Sequence, residues 1–498
     1  MAPSGREKIA SEKRMTIQIH DTLRGEKTEL VPLVPGQLGI YVCGPTTYDF
    51  AHVGNARPYT AFDAVVRYLR FSGFTVKHAR NFTDVDDKII RRAHERNEDP
   101  FALSARYIDE FESDMASLGI QRPDVAPKVS EHLPEIIALI TELVATDKAY
   151  ARHGDVYFRV RAFNGYGKLS HRNVDDLKSG ARVEVDDTKD DPLDFALWKA
   201  AKPGEPFWES PWGAGRPGWH IECSAMSAKY LGQPFDVHAG GKDLVFPHHE
   251  NEIAQSEAAH GKEFARYWIH NGFVTLSSDG VGDDAKISKS KGTLLTIRAI
   301  LERFDGEALR ALLLSTHYRN PLAFSEQALL DADRRVESVY TTLEAAGRKF
   351  GARAESADEK VMAQFCEAMN DDFNTAEALG RLAAPLSRLG ELAAKKSPKS
   401  PTSEEEREAR SLLAAVRKAT GVLGLWDRDP AARLLERRTT VAARLGLDPA
   451  TVETAIAERT AARASRDFAR ADAVRAAWLA KGVELMDTPA GTTWRILL

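Results

Sequence analysis

Two short segments, far apart in the chain, carry residue types suited to phosphate chemistry: His52-Val53-Gly54-Asn55, and Lys286-Ile287-Ser288-Lys289-Ser290. The first follows the apolar run Gly39-Ile40-Tyr41-Val42-Cys43, closed by Gly44-Pro45, which predicts a buried strand. Beyond Gly54 the apolar residues Ala61, Phe62, Val65, Val66 and Leu69 recur at three- and four-residue steps, so a helix is expected to begin near Gly54. A glycine at that helix N-terminus lets a phosphate approach the backbone N–H groups and the positive end of the dipole. His52 and Asn55 then stand beside it as hydrogen-bond donors. In the second segment, Lys286 and Lys289 follow the polar stretch Ser277 to Asp284, which predicts a loop with cations at its tip, able to close over a triphosphate. Taken singly, the first is an ordinary helix start and the second a solvated turn. Together they describe a site that handles ATP.

A second group of residues is suited to a metal. The chain has three cysteines, Cys43, Cys223 and Cys366, too few and too scattered for a disulfide framework. Pro247-His248-His249-Glu250-Asn251-Glu252 predicts the start of a helix on which His248 and Glu252 share a face, with His249 also able to reach Glu252. Two thiolates, an imidazole and a carboxylate make a tetrahedral zinc set. The spacing of the cysteines carries no metal signature of its own, and an inert buried hydrophobe is the alternative for each.

Composition bounds the rest. A chain of 498 residues predicts three or four domains at roughly 100–200 residues each. No apolar stretch approaches the roughly 20 residues that span a bilayer, and Met1 to Arg14 is polar, without a secretory core. A cytoplasmic enzyme with no membrane partner is the expectation. The formal net charge of −5 argues against general nucleic-acid coating and leaves room only for local basic surface. No Ser/His/Asp or Cys/His nucleophile set is evident.

On these motifs the chain resembles the class I aminoacyl-tRNA synthetases, whose signatures are H-I-G-H at the first strand–helix turn and K-M-S-K-S after the last strand. Within that class it is similar to the cysteinyl-tRNA synthetases, through Tyr41-Val42-Cys43-Gly44-Pro45-Thr46, Asn81-Phe82-Thr83-Asp84-Val85-Asp86-Asp87-Lys88, Pro217-Gly218-Trp219-His220-Ile221-Glu222-Cys223-Ser224 and Phe246-Pro247-His248-His249-Glu250-Asn251-Glu252. Weaker echoes run on through Asp371-Asp372-Phe373-Asn374-Thr375 and Gly491-Thr492-Thr493-Trp494-Arg495. Asn55 stands where the family signature has its second histidine, and Ile287 replaces the methionine of the lysine loop. His238-Ala239-Gly240-Gly241-Lys242-Asp243 varies a run usually written H-G-G-G-S-D.

The resemblance implies an α/β fold, a split Rossmann-type parallel-sheet catalytic domain with a connective insertion, then a helical bundle and a small C-terminal domain. On this sequence that places a polar N-terminal extension at 1–15, the first catalytic half at 16–122, the insertion at 123–217 and the second half, with the lysine loop, at 218–322. The bundle falls at 323–440 and an anticodon-binding unit at 449–498. The implied activity joins L-cysteine to the 3′ end of tRNA(Cys) through cysteinyl-adenylate. His52, Asn55, Lys286 and Lys289 take the catalytic positions, with Gly54, Asp243 and Lys289 on ATP. Thr83, Trp219 and His238 line the amino-acid pocket. One Zn2+ per chain falls to Cys43, Cys223, His248 and Glu252, where it senses the substrate thiolate, and Mg2+ accompanies ATP. A monomer is expected. In the last unit one helix is expected to carry Arg459, Arg463, Arg466 and Arg470 as a row facing phosphates, ahead of short strands at 483–485 and 492–496, with Trp494 stacking or packing. Two rivals share the motifs: a cysteine ligase acting on an amino-sugar in thiol biosynthesis, and a catalytically inactive RNA-binding relative.

Overall fold

The computed structural model describes residues 16–173, 189–276, 296–351, 353, 355–396, 400–444, 446–488 and 491–496. Lys286 and Lys289 lie outside the described residues. The chain divides into two compact units, the first built from Met1–Ala299, Leu313–Phe324 and Ala363–Arg381, the second from Ile300–Leu312, Ser325–Met362 and Leu382–Leu498.

In the first unit, a hairpin of β1 (Gln18–Asp21) and β2 (Glu26–Glu29) precedes β3 (Gln37–Val42), α1 (Val53–Phe71) and β4 (Thr75–Arg80). Helices α2 (Asp87–Arg96), α3 (Pro100–Ser117) and α4 (Leu133–Ala145) follow. The antiparallel run β5 (Ala149–Arg152), β6 (Asp155–Phe158), β7 (Phe195–Ala200) and β8 (Gly215–Pro217) forms a sheet of its own between the two halves of the larger one. The second half holds α5 (Trp219–Leu231), β9 (Phe235–Gly241), α6 (Glu250–His260), β10 (Ala265–Asn271) and β11 (Val274–Leu276), and β12 (Leu322–Phe324) returns to pair with β11.

The larger sheet is four-stranded and parallel in the order β10-β9-β3-β4. Parallel strands covered on both faces read as near-continuous apolar runs. Ile40, Tyr41 and Val42 are accordingly all buried. Their register against the second half is Ile40 opposite Val237, Tyr41 opposite His238 and Val42 opposite Ala239.

Helix α1 begins where its sequence periodicity places it, and its cap explains the departure at Asn55. The His52 ring accepts from the Asn55 backbone N–H at 3.3 Å, and the Asn55 side-chain carbonyl accepts from the His52 backbone N–H at 3.1 Å. This reciprocal capping box satisfies two donors that a helix start otherwise leaves orphaned. A Cβ on Gly54 would sit 2.9 Å from the His52 ring, so glycine is required for that ring to fold back over the helix start.

The second unit packs the long helix Glu326–Phe350 against Ala383–Ala394, Ser403–Val422 and Pro430–Arg444. Toward the C-terminus, helices Pro449–Ala464 and Phe468–Leu479 pack with the hairpin Val483–Thr488 and Gly491–Ile496 around a small core that includes Val452, Ile456, Leu485 and Trp494. The expected single arginine-bearing helix is corrected here. Arg466 adopts a φ of 61°, and Asp467 caps a new helix by accepting from the Arg470 N–H at 3.0 Å. The row is therefore split between two elements. Arg459, which is buried, and Arg463 both pair with Asp487 at 2.6 Å, while Arg470 pairs with Glu458 at 2.9 Å. Trp494 packs: it is 2% exposed and donates from Nε1 to Glu453 at 2.8 Å.

Truncating that ring removes the largest member of this small core, so Trp494→Ala is expected to lower the stability of the 449–496 region by about 3–5 kcal/mol. Hydrogen exchange checks it: faster exchange confined to those residues, with 16–276 unchanged, is the expected pattern.

Candidate active site

Four elements converge on one buried point. Cys43 follows the end of β3, and its N–H donates to Ala239 O on β9 at 3.1 Å. Cys223 projects from the first turns of α5, His248 from the irregular turn Val245–His249, and Glu252 from the start of α6. One ligand atom from each of Cys43, Cys223, His248 and Glu252 lies within 4.8 Å of the others, and all four side chains are buried. The sulfurs are 3.7 Å apart, and His248 Nε2 is 3.0 Å from Glu252 Oε1.

A second set, Cys43, His238, His249 and Glu252, meets the same criterion. His238 Nε2 lies 2.8 Å from Glu252 Oε2, and His249 Nε2 is 3.3 Å from the Cys43 sulfur. Cys43 and Glu252 are common to both sets, whereas His248 and His249 approach from different sides.

The electrostatics of the quartet follow from burial offset by close partners. Burial pushes the Cys43 thiol well up. Cys223 is drawn down to about 6, chiefly because Cys43 donates to it and also because His248 faces it. Burial opposes the Glu252 carboxylate, but the His238 and His248 imidazoles outweigh it and hold the pKa at about 2. His248 is likewise raised against burial, to about 10, by Glu252 and Cys223. Behind it, His220 is kept neutral by burial and meets His248 Nδ1 to Nδ1 at 2.9 Å, so neutral His220 accepts from the His248 imidazolium. Two thiols, an imidazole and a carboxylate, buried and concentrated in this way, fit a zinc ion. A charge cluster of this kind needs a cation to be at ease in a dry interior.

The Trp219 ring stacks on His248 with centroids 4.2 Å apart and is 36% exposed, so it borders an open side. Thr83 is buried and donates from Oγ1 to Glu222 Oε2 at 2.8 Å. Asp243 lies in the short helical turn Lys242–Leu244 that continues β9. Upstream of α1, Ala51 O accepts from Ile297 N at 3.0 Å, and His52 is bridged to Thr296.

Several residues of the site carry no role in the sequence reading. Tyr41 packs its ring against His238 at 5.4 Å, and its hydroxyl, close to both sulfurs, is pushed well up by burial. Asn81 Oδ1 accepts from the Gly44 N–H at 2.8 Å and fixes the backbone next to Cys43. His249 Nδ1 meets His270 Nε2 at 2.7 Å, and His270 Nδ1 meets Thr22 Oγ1 at 2.8 Å. The available signal was Glu222, the one charged residue in the buried stretch Ile221–Ser227 of α5.

Residues 29–334 match the family described as tRNA synthetases class I (C) catalytic domain, and residues 364–427 match the DALR domain. Fold and site thus define a class I tRNA synthetase. Solved relatives agree on the fold: the methionyl-tRNA synthetase of Mycobacterium tuberculosis bound by methionyl-adenylate superposes with a TM-score of 0.59 at 16% identity, over 83% of this chain and 95% of that one. A cysteine–tRNA ligase of Anaeromyxobacter sp. (strain K) is 57% identical over 488 residues, covering 97% of this chain and all of the relative. One from Geobacter sulfurreducens is 48% identical over 496 residues, again 97% of this chain. The chain belongs to the cysteine–tRNA ligase family.

The proton distribution makes a prediction. At pH 7.5 the Cys43 thiol and the His248 imidazolium each hold a proton that a metal must displace, whereas Cys223 and Glu252 are already ionised. Zinc uptake is therefore expected to release about two protons per ion, with affinity rising as pH is raised from about 6 toward 10. Titration calorimetry in buffers of different ionisation enthalpy measures this directly; release of less than one proton would contradict the assignment of ligands.

Proposed function

We propose that this chain activates L-cysteine as cysteinyl-adenylate at the expense of ATP and transfers it to the 3′ end of tRNA(Cys). The observation that carries the reading is the buried quartet Cys43, Cys223, His248 and Glu252, which combines soft sulfur donors with a partly exposed Trp219 ring stacked on His248. Zinc bound there would strip the proton from the substrate thiol and hold cysteine as a thiolate, which an alcohol cannot imitate. A site built around one strong specific bond rejects a near-isostere such as serine far better than an apolar pocket does.

The chain's own groups do the rest. Trp219 walls the pocket, Thr83 is oriented by Glu222, and His238 holds one oxygen of Glu252 in place. The substrate carboxylate attacks the α-phosphate of ATP in line, forming the mixed anhydride as pyrophosphate leaves. His52, Asn55 and the backbone at Gly54 face the phosphates from the α1 side, with Lys286 and Lys289 closing from the other as charge moves to the leaving group. Asp243 accepts from the ribose hydroxyls, and Mg2+ travels with the nucleotide. In the second step the terminal ribose hydroxyl of tRNA attacks the activated carbonyl, the acyl–phosphate bond breaks and AMP leaves. Asn55 cannot become cationic as a histidine can, so charge stabilisation falls to the lysines and the metal-bound nucleotide.

The test is cysteine-dependent exchange of pyrophosphate into ATP, followed by charging of tRNA. Both activities are expected. Exchange followed by transfer to an amino-sugar and not to tRNA would replace the reading, and no exchange at all would remove it. Asn55→Ala is expected to slow adenylate formation by 10²–10³-fold, a transition-state donor being worth roughly 2.7–4 kcal/mol, while loss of its part in the helix cap lowers stability by about 1 kcal/mol. An unchanged exchange rate in that variant would leave Asn55 with the cap alone.

A further inference from the structure

Two residues beyond Asn55, the Arg57 guanidinium is buried, 1% exposed. It donates to four backbone carbonyls within one short stretch: Leu313, Thr316 at 3.1 Å, His317 at 3.0 Å and Asn320 at 3.4 Å. Its Nε is left without a partner, and no carboxylate among the described residues pairs with it. Burial accordingly lowers its pKa to about 10. A charge buried on dipoles alone is an expensive way to hold a turn. An apolar contact would serve packing better, so the expense points to a requirement for fixed geometry.

What the 313–320 stretch holds in turn shows what that geometry serves. Gly272 N donates to Tyr318 O at 2.8 Å, and Leu322 N donates to Phe273 O at 2.9 Å. Tyr318 and Arg319 are braced from behind by Asp372, at 2.7 and 2.5 Å. A Cβ on Gly272 would come within 2.6 Å of the Arg319 and Asn320 backbone, so the two segments are in direct main-chain contact. The stretch then enters β12, which pairs in parallel with β11 through Val274–Leu322, Thr275–Ala323 and Leu276–Phe324. Leu276 is the last residue before the 277–295 segment that carries Lys286 and Lys289. On its far side, Thr296 and Ile297 bond directly to His52 and Ala51. Both flanks of that segment are thus tied to α1, one by its N-terminal backbone and one through Arg57.

We propose that Arg57 is a positioning residue for adenylate formation: by gripping the 313–320 carbonyls it fixes the β11–β12 pair against the helix that presents His52 and Asn55. The proposal rests on the ATP-binding reading given above. It bears on the ATP half of the site, because the Arg57 hydrogen bonds all go to the 313–320 carbonyls and not to β3, β9, α5 or α6, which build the cysteine pocket.

The test uses the full-length, zinc-loaded protein. Lysine keeps the charge but cannot fork across several carbonyls. Arg57→Lys is expected to lower kcat for cysteine-dependent pyrophosphate exchange at least tenfold and to raise KM for ATP several-fold, with KM for cysteine and zinc content within twofold of wild type. Tyr318→Phe loosens the same stretch from its Asp372 side and is expected to show the same split, more weakly. Parallel changes in the cysteine and ATP constants, loss of zinc, or unaltered exchange in Arg57→Lys would overturn the proposal. If that variant fails to fold, Tyr318→Phe decides, and unaltered ATP kinetics there would overturn it equally. Absence of exchange in the wild-type protein strikes instead at the ATP and cysteine reading itself.

Discussion

The parallel pairing of β3 with β9 is the constraint on which the rest of the first unit depends. It joins segments nearly 200 positions apart through three residue pairs and the Cys43–Ala239 hydrogen bond. Side chains alternate along a strand, so a slip of one residue would turn Tyr41 away from His238 and swing Cys43 off the point where Cys223 and Glu252 meet it. Strands buried on both faces give such a slip little resistance from burial alone. Register is instead held by what flanks the strands: Asn81 on the Gly44 backbone, and Asp236, whose two oxygens accept from the Leu33 and Gly39 N–H groups at 2.7 Å each.

That junction concentrates charge in a place that excludes water. Within the quartet acid and imidazole face one another, which is why Glu252 lies far below and His248 far above its ordinary range. The same low dielectric strengthens every one of these contacts and makes any vacancy among them costly. Removing one partner of such a cluster leaves an uncompensated buried charge, so the ligands depend on one another in folding as well as in binding.

What was legible in the sequence was what is local. The β3 strand and the helix after Gly54 announce themselves by periodicity, and the capping box joins residues only three apart. The competition between His248 and His249 could not be read in the same way. On an ideal helix both reach toward Glu252, and the irregular turn Val245–His249 decides that His248 faces Cys223 while His249 faces Cys43 and His270. The arginine row failed for a related reason. Its spacing continues smoothly through Arg466, yet the Asp467 cap and the pull of Asp487 on Arg459 and Arg463 break the helix and occupy the charges. Arg57 was invisible because its partners are main-chain carbonyls more than 250 positions away, and a carbonyl has no sequence signature.

Four protein ligands ordinarily close a zinc site, yet a site that reads a substrate sulfur needs one of them to give way. The geometry singles out which. A thiolate released from the cluster would keep only one imidazole, His249 for Cys43 or His248 for Cys223, and would lie close to a second sulfur and to the Tyr41 hydroxyl. Glu252 is differently placed: its Oε2 is already matched to His238 and its Oε1 lies within reach of His248. Were zinc held there, a carboxylate that gave way would keep the His238 imidazole on Oε2, whereas His248, with Nδ1 facing His220 and Nε2 taken by the ion, would offer Oε1 no proton. On the proposed reading His238 would serve cysteine selection less as a pocket wall than as the partner left to Glu252 if that carboxylate yielded its position.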